Sequence, residues 1–505
     1  MIANISPPSK RAKIALSLRN GVLKPVPPNL TFNHNASISR NVTVHLIALS
    51  PLQKKRLLSG VLITFLTLLS GCSSYGAISN TPTDVQKKSS THVIEPNYSI
   101  QTVLSAKPQG KVALVLTFSG GGTRAAALAY GVLQALHNTD IGGTHNRHPL
   151  LDEVDVISSV SGGSFLAAYY GLHGQETFHS FESVMLKKDI KNELISGILN
   201  PANWFLNTGR TEMAIQFYNT TIFKDATFKD LQKPDSPLIL INATDLANGV
   251  RFSFTQDSFN LICSDINQFS IARAVTASSA VPVMFNPVVV KNYQPCENTT
   301  TKKLARASQN PALNYELKQV IKGLQDYTQT AYPYLHLVDG GISDNLGLRA
   351  IYESIELSGG AKRFLTKIGK QSINHIAVIS VDASTQSARN IRFTHKAPSI
   401  EDSVDAMTDI QLHRYNNATL QLFESSLNRW GKALSTPNNP VSSHFIKLNF
   451  NQLPTEEQRA EFNQIPTSLS LTENQVHSLI QAGHDLLISN PLYQDLVKKL
   501  SVSPQ

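Results

Sequence analysis

Between residues 112 and 381 the chain alternates short apolar runs with longer amphipathic ones. The short runs are 112–118 (V-A-L-V-L-T-F), 154–160, 238–244, 250–255, 287–291, 334–338 and 376–381. Rich in Val, Ile and Leu, they read as strands. Between them, 123–137, 163–172, 271–280 and 347–357 have helical spacing. Apolar strands alternating with helices predict an α/β fold around a mostly parallel sheet. Residues 179–230 are aromatic-rich and read as irregular, and 298–330 are polar and Lys-rich. Both are expected as insertions near the active face, the second as a mobile lid. After Asp382 the pattern predicts a long amphipathic helix over 400–434, a strand over 444–450 and a helix over 473–487 behind the cap residue Thr472. Phe423 and Trp430 are expected in the core that this C-terminal part builds against the sheet.

Three of the strand ends carry candidate chemistry. S-V-S-G-G at 159–163 sits where an apolar strand gives way to a helix, so Ser161 would stand on a sharp turn among small neighbours, as a nucleophile needs. S-G-G-G-T-R at 119–124 is a second such junction. The backbone N–H groups of Gly120, Gly121 and Gly122 would lie near a helix N-terminus, placed to hold a developing oxyanion. D-G-G at 339–341 ends another strand and offers Asp339 as a carboxylate able to reach the serine. Each motif alone is weak, since glycine triplets and D-G-G are commonly turns. Together they point to acyl transfer.

With these motifs in this order, residues from about 112 to 382 resemble the patatin-like phospholipase family. A further block, A-S-S-A-V-P-V-M-F-N-P at 277–287, is similar to a stretch that the family carries before its aspartate. The resemblance implies a three-layer α/β/α fold and hydrolysis of lipid carboxylic esters by a Ser161–Asp339 dyad, without a histidine. It also implies a supporting role for Arg124, on the oxyanion loop or at an anionic headgroup, and phospholipase A chemistry that needs no metal or other cofactor. One position departs from the pattern: Ser159 stands where the family's elbow has glycine. The rival schemes are a triad of Ser161, Asp339 and a late histidine (His444, His477 or His484), and a lipid-anchored binding protein without turnover.

Composition adds a compartment. The formal charge is +9, yet residues 1–71 hold nine Lys or Arg and no Asp or Glu. Without those nine, 36 basic residues face 36 acidic ones, so no nucleic-acid partner is implied. Lys54-Lys55-Arg56 precedes a 13-residue apolar run, 57–69, shorter than the roughly 20 residues that span a bilayer. It ends in L-S-G-C at 69–72, which resembles a bacterial lipobox and makes Cys72 the expected lipidated residue. Ser73 behind it resembles the outer-membrane sorting pattern. The expected organisation is therefore 1–53 absent from the mature protein, 54–71 a signal peptide, 72–110 a flexible tether, 111–385 the catalytic domain and 386–505 a region packed on it. In that cell-envelope setting Cys263 and Cys296 are expected to form a disulfide closing 33 residues, with two buried free thiols as the alternative.

Overall fold

The runs read as strands, including the one near residue 444, become strands of one eight-stranded sheet in the computed structural model. They are β1 Val112–Phe118, β2 Val154–Val160, β3 Leu238–Asp245, β4 Arg251–Ser253, β5 Val288–Lys291, β6 Tyr334–Asp339, β7 His375–Asp382 and β8 Ser442–Asn449. The structure describes residues 76–83 and 97–501, apart from 109, 144–145, 200–208, 283, 297, 312, 371–372 and 387–394. The basic triplet, the apolar run at 57–69 and Cys72 lie outside the described residues.

The strand order is β8-β7-β1-β2-β3-β6-β5, with β4 paired to β3. From β8 through β3 the strands are parallel. Strands β6, β5 and β4 run antiparallel to their neighbours. Helices cover both faces. On one lie α1 (Gly122–His137), α2 (Gly162–His173) and α3 (Ile271–Ser278). On the other, Val115, Val156, Leu240 and Val378 of the sheet meet Ile351, Phe423 and Trp430. The result is a three-layer α/β/α arrangement.

Residues 298–330, read as a polar insertion, contain two helices. They fold as α4 (Thr299–Ser308) and α5 (Tyr315–Asp326), each capped by an asparagine side chain, Asn298 and Asn314, with Leu304, Leu317 and Ile321 turned inward. Residues 179–230 likewise contain helices, among them Ile190–Leu199 and Arg210–Tyr218. The polar faces of these helices dominate the sequence there and hide a narrow apolar stripe. Next in order come α6 (Leu348–Leu357), α7 (Ile400–Leu434) and α8 (Glu473–Ile488). Helix α8 crosses α1 so closely that a Cβ on Gly131 would lie 1.9 Å from the Ile480 carbonyl oxygen, and one on Gly483 2.1 Å from that of Leu128. Two glycines let the backbones touch there.

The expected tether is anchored at two points. Thr81–Pro82 pairs with Ser264–Asp265, and the buried Asn80 side chain donates to the Lys291 carbonyl at 2.9 Å. Tyr98 is fully buried, and its hydroxyl donates to Ile239 O while accepting from Ile239 N. One aromatic and one amide, each unremarkable within a polar stretch, hold these segments to the sheet.

Candidate active site

Ser161 immediately follows β2 and caps α2 with φ 50° and ψ −123°, a conformation that L-residues avoid unless their surroundings enforce it. Here the glycines enforce it. A Cβ on Gly162 would lie 2.0 Å from Gly122 O, and one on Gly163 2.7 Å from Phe118 Cβ. The turn therefore presses directly on the glycine-rich loop, and only hydrogen side chains fit between them. Ser159 is accommodated within the strand, where its hydroxyl donates to Leu240 O at 3.0 Å. The departure from glycine leaves no unpaired polar group.

Asp339 ends β6, two strands from β2. Strand β6 arrives against the direction of the parallel strands, and Asp339 pairs with Ala243 while Val160 pairs with Asn242. The carboxylate thus comes level with the serine from the opposite side, rather than projecting from the carboxyl end of a parallel strand. The Ser161 hydroxyl lies beside Asp339 and favours its ionised form, and the Gly341 N–H donates to Asp339 Oδ1 at 2.7 Å. Burial outweighs both contacts and pushes the carboxyl up to about 6. Ser161 and Asp339 are 7% and 8% exposed, enough to be reached and little enough to be desolvated.

A short segment, to which the sequence assigned no catalytic role, holds the two together. Ser278, at the end of α3, accepts the Ser161 N–H at 2.9 Å and donates to Asn242 O at 2.6 Å. The Ser278 carbonyl accepts from Gly340 N at 3.1 Å, and the Ala280 carbonyl from Asp339 N at 3.0 Å. Residues 278–280 therefore set the spacing between nucleophile and carboxylate. The A-S-S-A-V-P block carried a signal, but nothing local says which hydroxyl faces the elbow.

The three loop glycines are not equivalent. Gly120 donates its N–H to Asn345 O at 3.1 Å, so it is not a free oxyanion donor. Gly121 (φ 137°) and Gly122 (φ 61°) have N–H groups with no acceptor among the described residues. Arg124 is buried against the loop. Its Nε donates to Ala383 O at 2.8 Å and Nη2 to Thr467 Oγ1 at 3.0 Å, and Nη1 reaches Ile465 O. Ser468 O accepts from Thr123 N at 2.8 Å. The C-terminal region thus buttresses the loop.

None of the late histidines reaches the pair. His444 pairs across β8 with Ala377, which is level with Leu114 near the start of β1, at the far end of the sheet from Ser161. His477 is exposed on α8, and His484 pairs with Asp485. Cys263 and Cys296 are joined by a disulfide with Cα atoms 5.9 Å apart. No group of three His, Cys, Asp or Glu among the described residues could hold a metal ion. Nor is any helix among them long and apolar enough to cross a membrane.

The strained serine, the buried carboxylate and the unpaired loop amides lie within one stretch of sequence. Residues 116–352 match the patatin-like phospholipase family. The three-layer arrangement around this patatin-like segment is the patatin fold. No curated protein matches the chain. Among solved structures it is similar to human GIVD cytosolic phospholipase A2, at 12% identity and a TM-score of 0.38 over 77% of this chain and 62% of that one. VipD from Legionella pneumophila gives 15% identity and 0.26 over 74% and 67%, and the type III effector protein ExoU 13% and 0.21 over 52% and 62%. The chain spans 62% of the length of the human phospholipase.

Proposed function

We propose that the chain is a serine acyl hydrolase of phospholipase A type, cleaving carboxylic esters of membrane lipids through Ser161 and Asp339. The observation that carries this reading is a serine in a strained turn set beside a buried carboxylate raised to about 6. A carboxyl at its ordinary value near 3.9 is a poor base at neutral pH, and one near 6 is much better matched to a serine proton. In the first half-reaction Ser161 Oγ attacks the ester carbonyl carbon and its proton passes to Asp339. The carbonyl oxygen becomes an oxyanion facing the Gly121 and Gly122 amides. The C–O bond to the alcohol then breaks, and the leaving oxygen takes the proton from Asp339. Water repeats the sequence on the acyl-enzyme and releases the fatty acid, restoring Ser161.

The setting of this chemistry belongs to the same proposal. The L-S-G-C sequence supports lipidation of Cys72 and a place in a bacterial cell envelope, at the outer membrane. A disulfide between Cys263 and Cys296 suits an oxidising compartment. An alkyl fluorophosphonate, which phosphonylates activated serines, tests the centre. The expected adduct is on the peptide containing Ser161 and is absent in Ser161→Ala, with loss of esterase activity in step. Labelling elsewhere, or activity that survives Ser161→Ala, overturns the assignment. A Cys72→Ala variant that is still cut to the same mature N-terminus overturns the anchor alone.

A further inference from the structure

Asp339 accepts or donates three hydrogen bonds whose chain neighbours share an unexpected property. Its N–H goes to Ala280, its carbonyl accepts from Thr244 Oγ1 at 2.9 Å, and its carboxylate accepts from Gly341 N. Val281 follows Ala280, Ile342 follows Gly341, and Leu246 comes two residues after Thr244. All three are exposed, at 39%, 52% and 54%, as is Met284 at 58%. Large aliphatic side chains are thus left in water on the segments that hold Asp339, Met284 three residues beyond Val281, while the residues of the centre itself are almost covered. Scattered exposed aliphatics are ordinary, whereas a group around one mouth calls for a partner.

The loops that carry them are also free of charge. Residues 246–250 (L-A-N-G-V), 279–287 (S-A-V-P-V-M-F-N-P) and 340–343 (G-G-I-S) contain no Asp, Glu, Lys or Arg. Protein-binding surfaces are commonly anchored by Trp, Tyr or Arg, and none of these is among the four exposed residues. Aliphatic side chains on neutral loops instead match the boundary between headgroups and acyl chains, where a charged side chain would be costly.

We propose that Leu246, Val281, Met284 and Ile342 form a collar that inserts into the surface of a phospholipid bilayer. A lipid ester then passes from the membrane to Ser161 without crossing water. The purpose of the collar rests on the acyl-hydrolase reading, whereas its insertion does not. Because the loops are uncharged, binding depends on apolar burial, so it needs no anionic lipid and is not screened by salt.

The test uses the full chain carrying Ser161→Ala, which cannot consume the vesicles, with and without Ile342→Trp. Both are mixed with phosphatidylcholine vesicles brominated on the acyl chains. The expected result is a blue shift and a loss of the added tryptophan's emission, the same at low and high salt. In the active chain, Leu246→Ser, Met284→Ser and Ile342→Ser together should lower the ratio of vesicle to soluble-ester turnover about tenfold or more, since three apolar insertions are lost. No quenching by the brominated lipid overturns the proposal, as does quenching that vanishes in salt or an unchanged turnover ratio. If the parent chain fails to hydrolyse a soluble ester while the quenching persists, the hydrolase reading falls and the collar stands.

Discussion

Asp339 and His444 are both buried titratable side chains of the same sheet, and both are pushed far from their ordinary values. Burial raises Asp339 to about 6 and lowers His444 to about 4, the latter with help from Lys499 and His375. There the likeness ends. Asp339 lies beside a serine held at φ 50°, accepts a backbone N–H, and is tied by its own N–H to the segment that fixes that serine. His444 sits at the other end of the sheet near Asp495 and His375, with its Nε2 atom unpartnered among the described residues. Desolvation alone perturbs a pKa. Chemistry needs a nucleophile within reach and a donor for the charge it creates.

The sharpest way to break this contrast is to remove each group in turn. Ser161→Ala and Asp339→Asn should each lower kcat/KM by three orders of magnitude or more on any ester, with the fold intact by circular dichroism. His444→Gln should leave turnover within about twofold, since it touches nothing in the site. A dead His444→Gln beside an active Asp339→Asn would reverse the assignment.

Ser278→Ala tests whether position matters as much as identity. The Ser161 N–H would lose its acceptor, and the elbow would shift relative to Asp339. A loss of about ten- to a hundredfold in kcat with little change in KM is expected, together with about 1–3 kcal/mol of stability. Equal losses in KM and kcat would mean that Ser278 acts on binding rather than on alignment.

The pH dependences run in opposite senses. As the base, Asp339 must be ionised, so kcat/KM should rise with pH through about 6 and then level off. Its folded value lies above the unfolded one, so ionising it weakens the fold as pH rises from about 4 to 6. Asp339→Asn should therefore stabilise the protein at pH 7, on the order of 2–3 kcal/mol, while abolishing activity. For His444 the folded value lies below the unfolded one, so stability is lost as pH falls from about 6.5 toward 4. His444→Gln should remove part of that acid sensitivity, the smallest of these effects. Thermal melts across pH 4–8 measure both, and equal acid sensitivity in parent and His444→Gln would show that the burial of His444 carries no energetic weight.

Local sequence sufficed for much of the molecule. Every run read as a strand became one, helix α7 spans 400–434 as its periodicity predicts, and Ser161, Gly121, Gly122 and Asp339 stood out by their small neighbours at strand ends. These signals are short-range, since hydrophobic period and turn chemistry are written within a few consecutive residues. Where polar faces outnumbered apolar ones, at 298–330, that signal was masked and two helices went unread.

Only the tertiary structure decided which of those groups act together. Gly120 lost its place as a donor to Asn345, 225 residues away, and Arg124 is spent on Ile465 and Thr467, more than 340 residues on. Ser278 supports Ser161 across a separation of 117. Asp339 meets the serine because β6 enters the sheet antiparallel, a choice of topology that its own six residues do not encode. Hydrogen bonds of this kind join chain segments whose proximity depends on the whole packing arrangement, so periodicity can nominate the residues and only the fold can pair them.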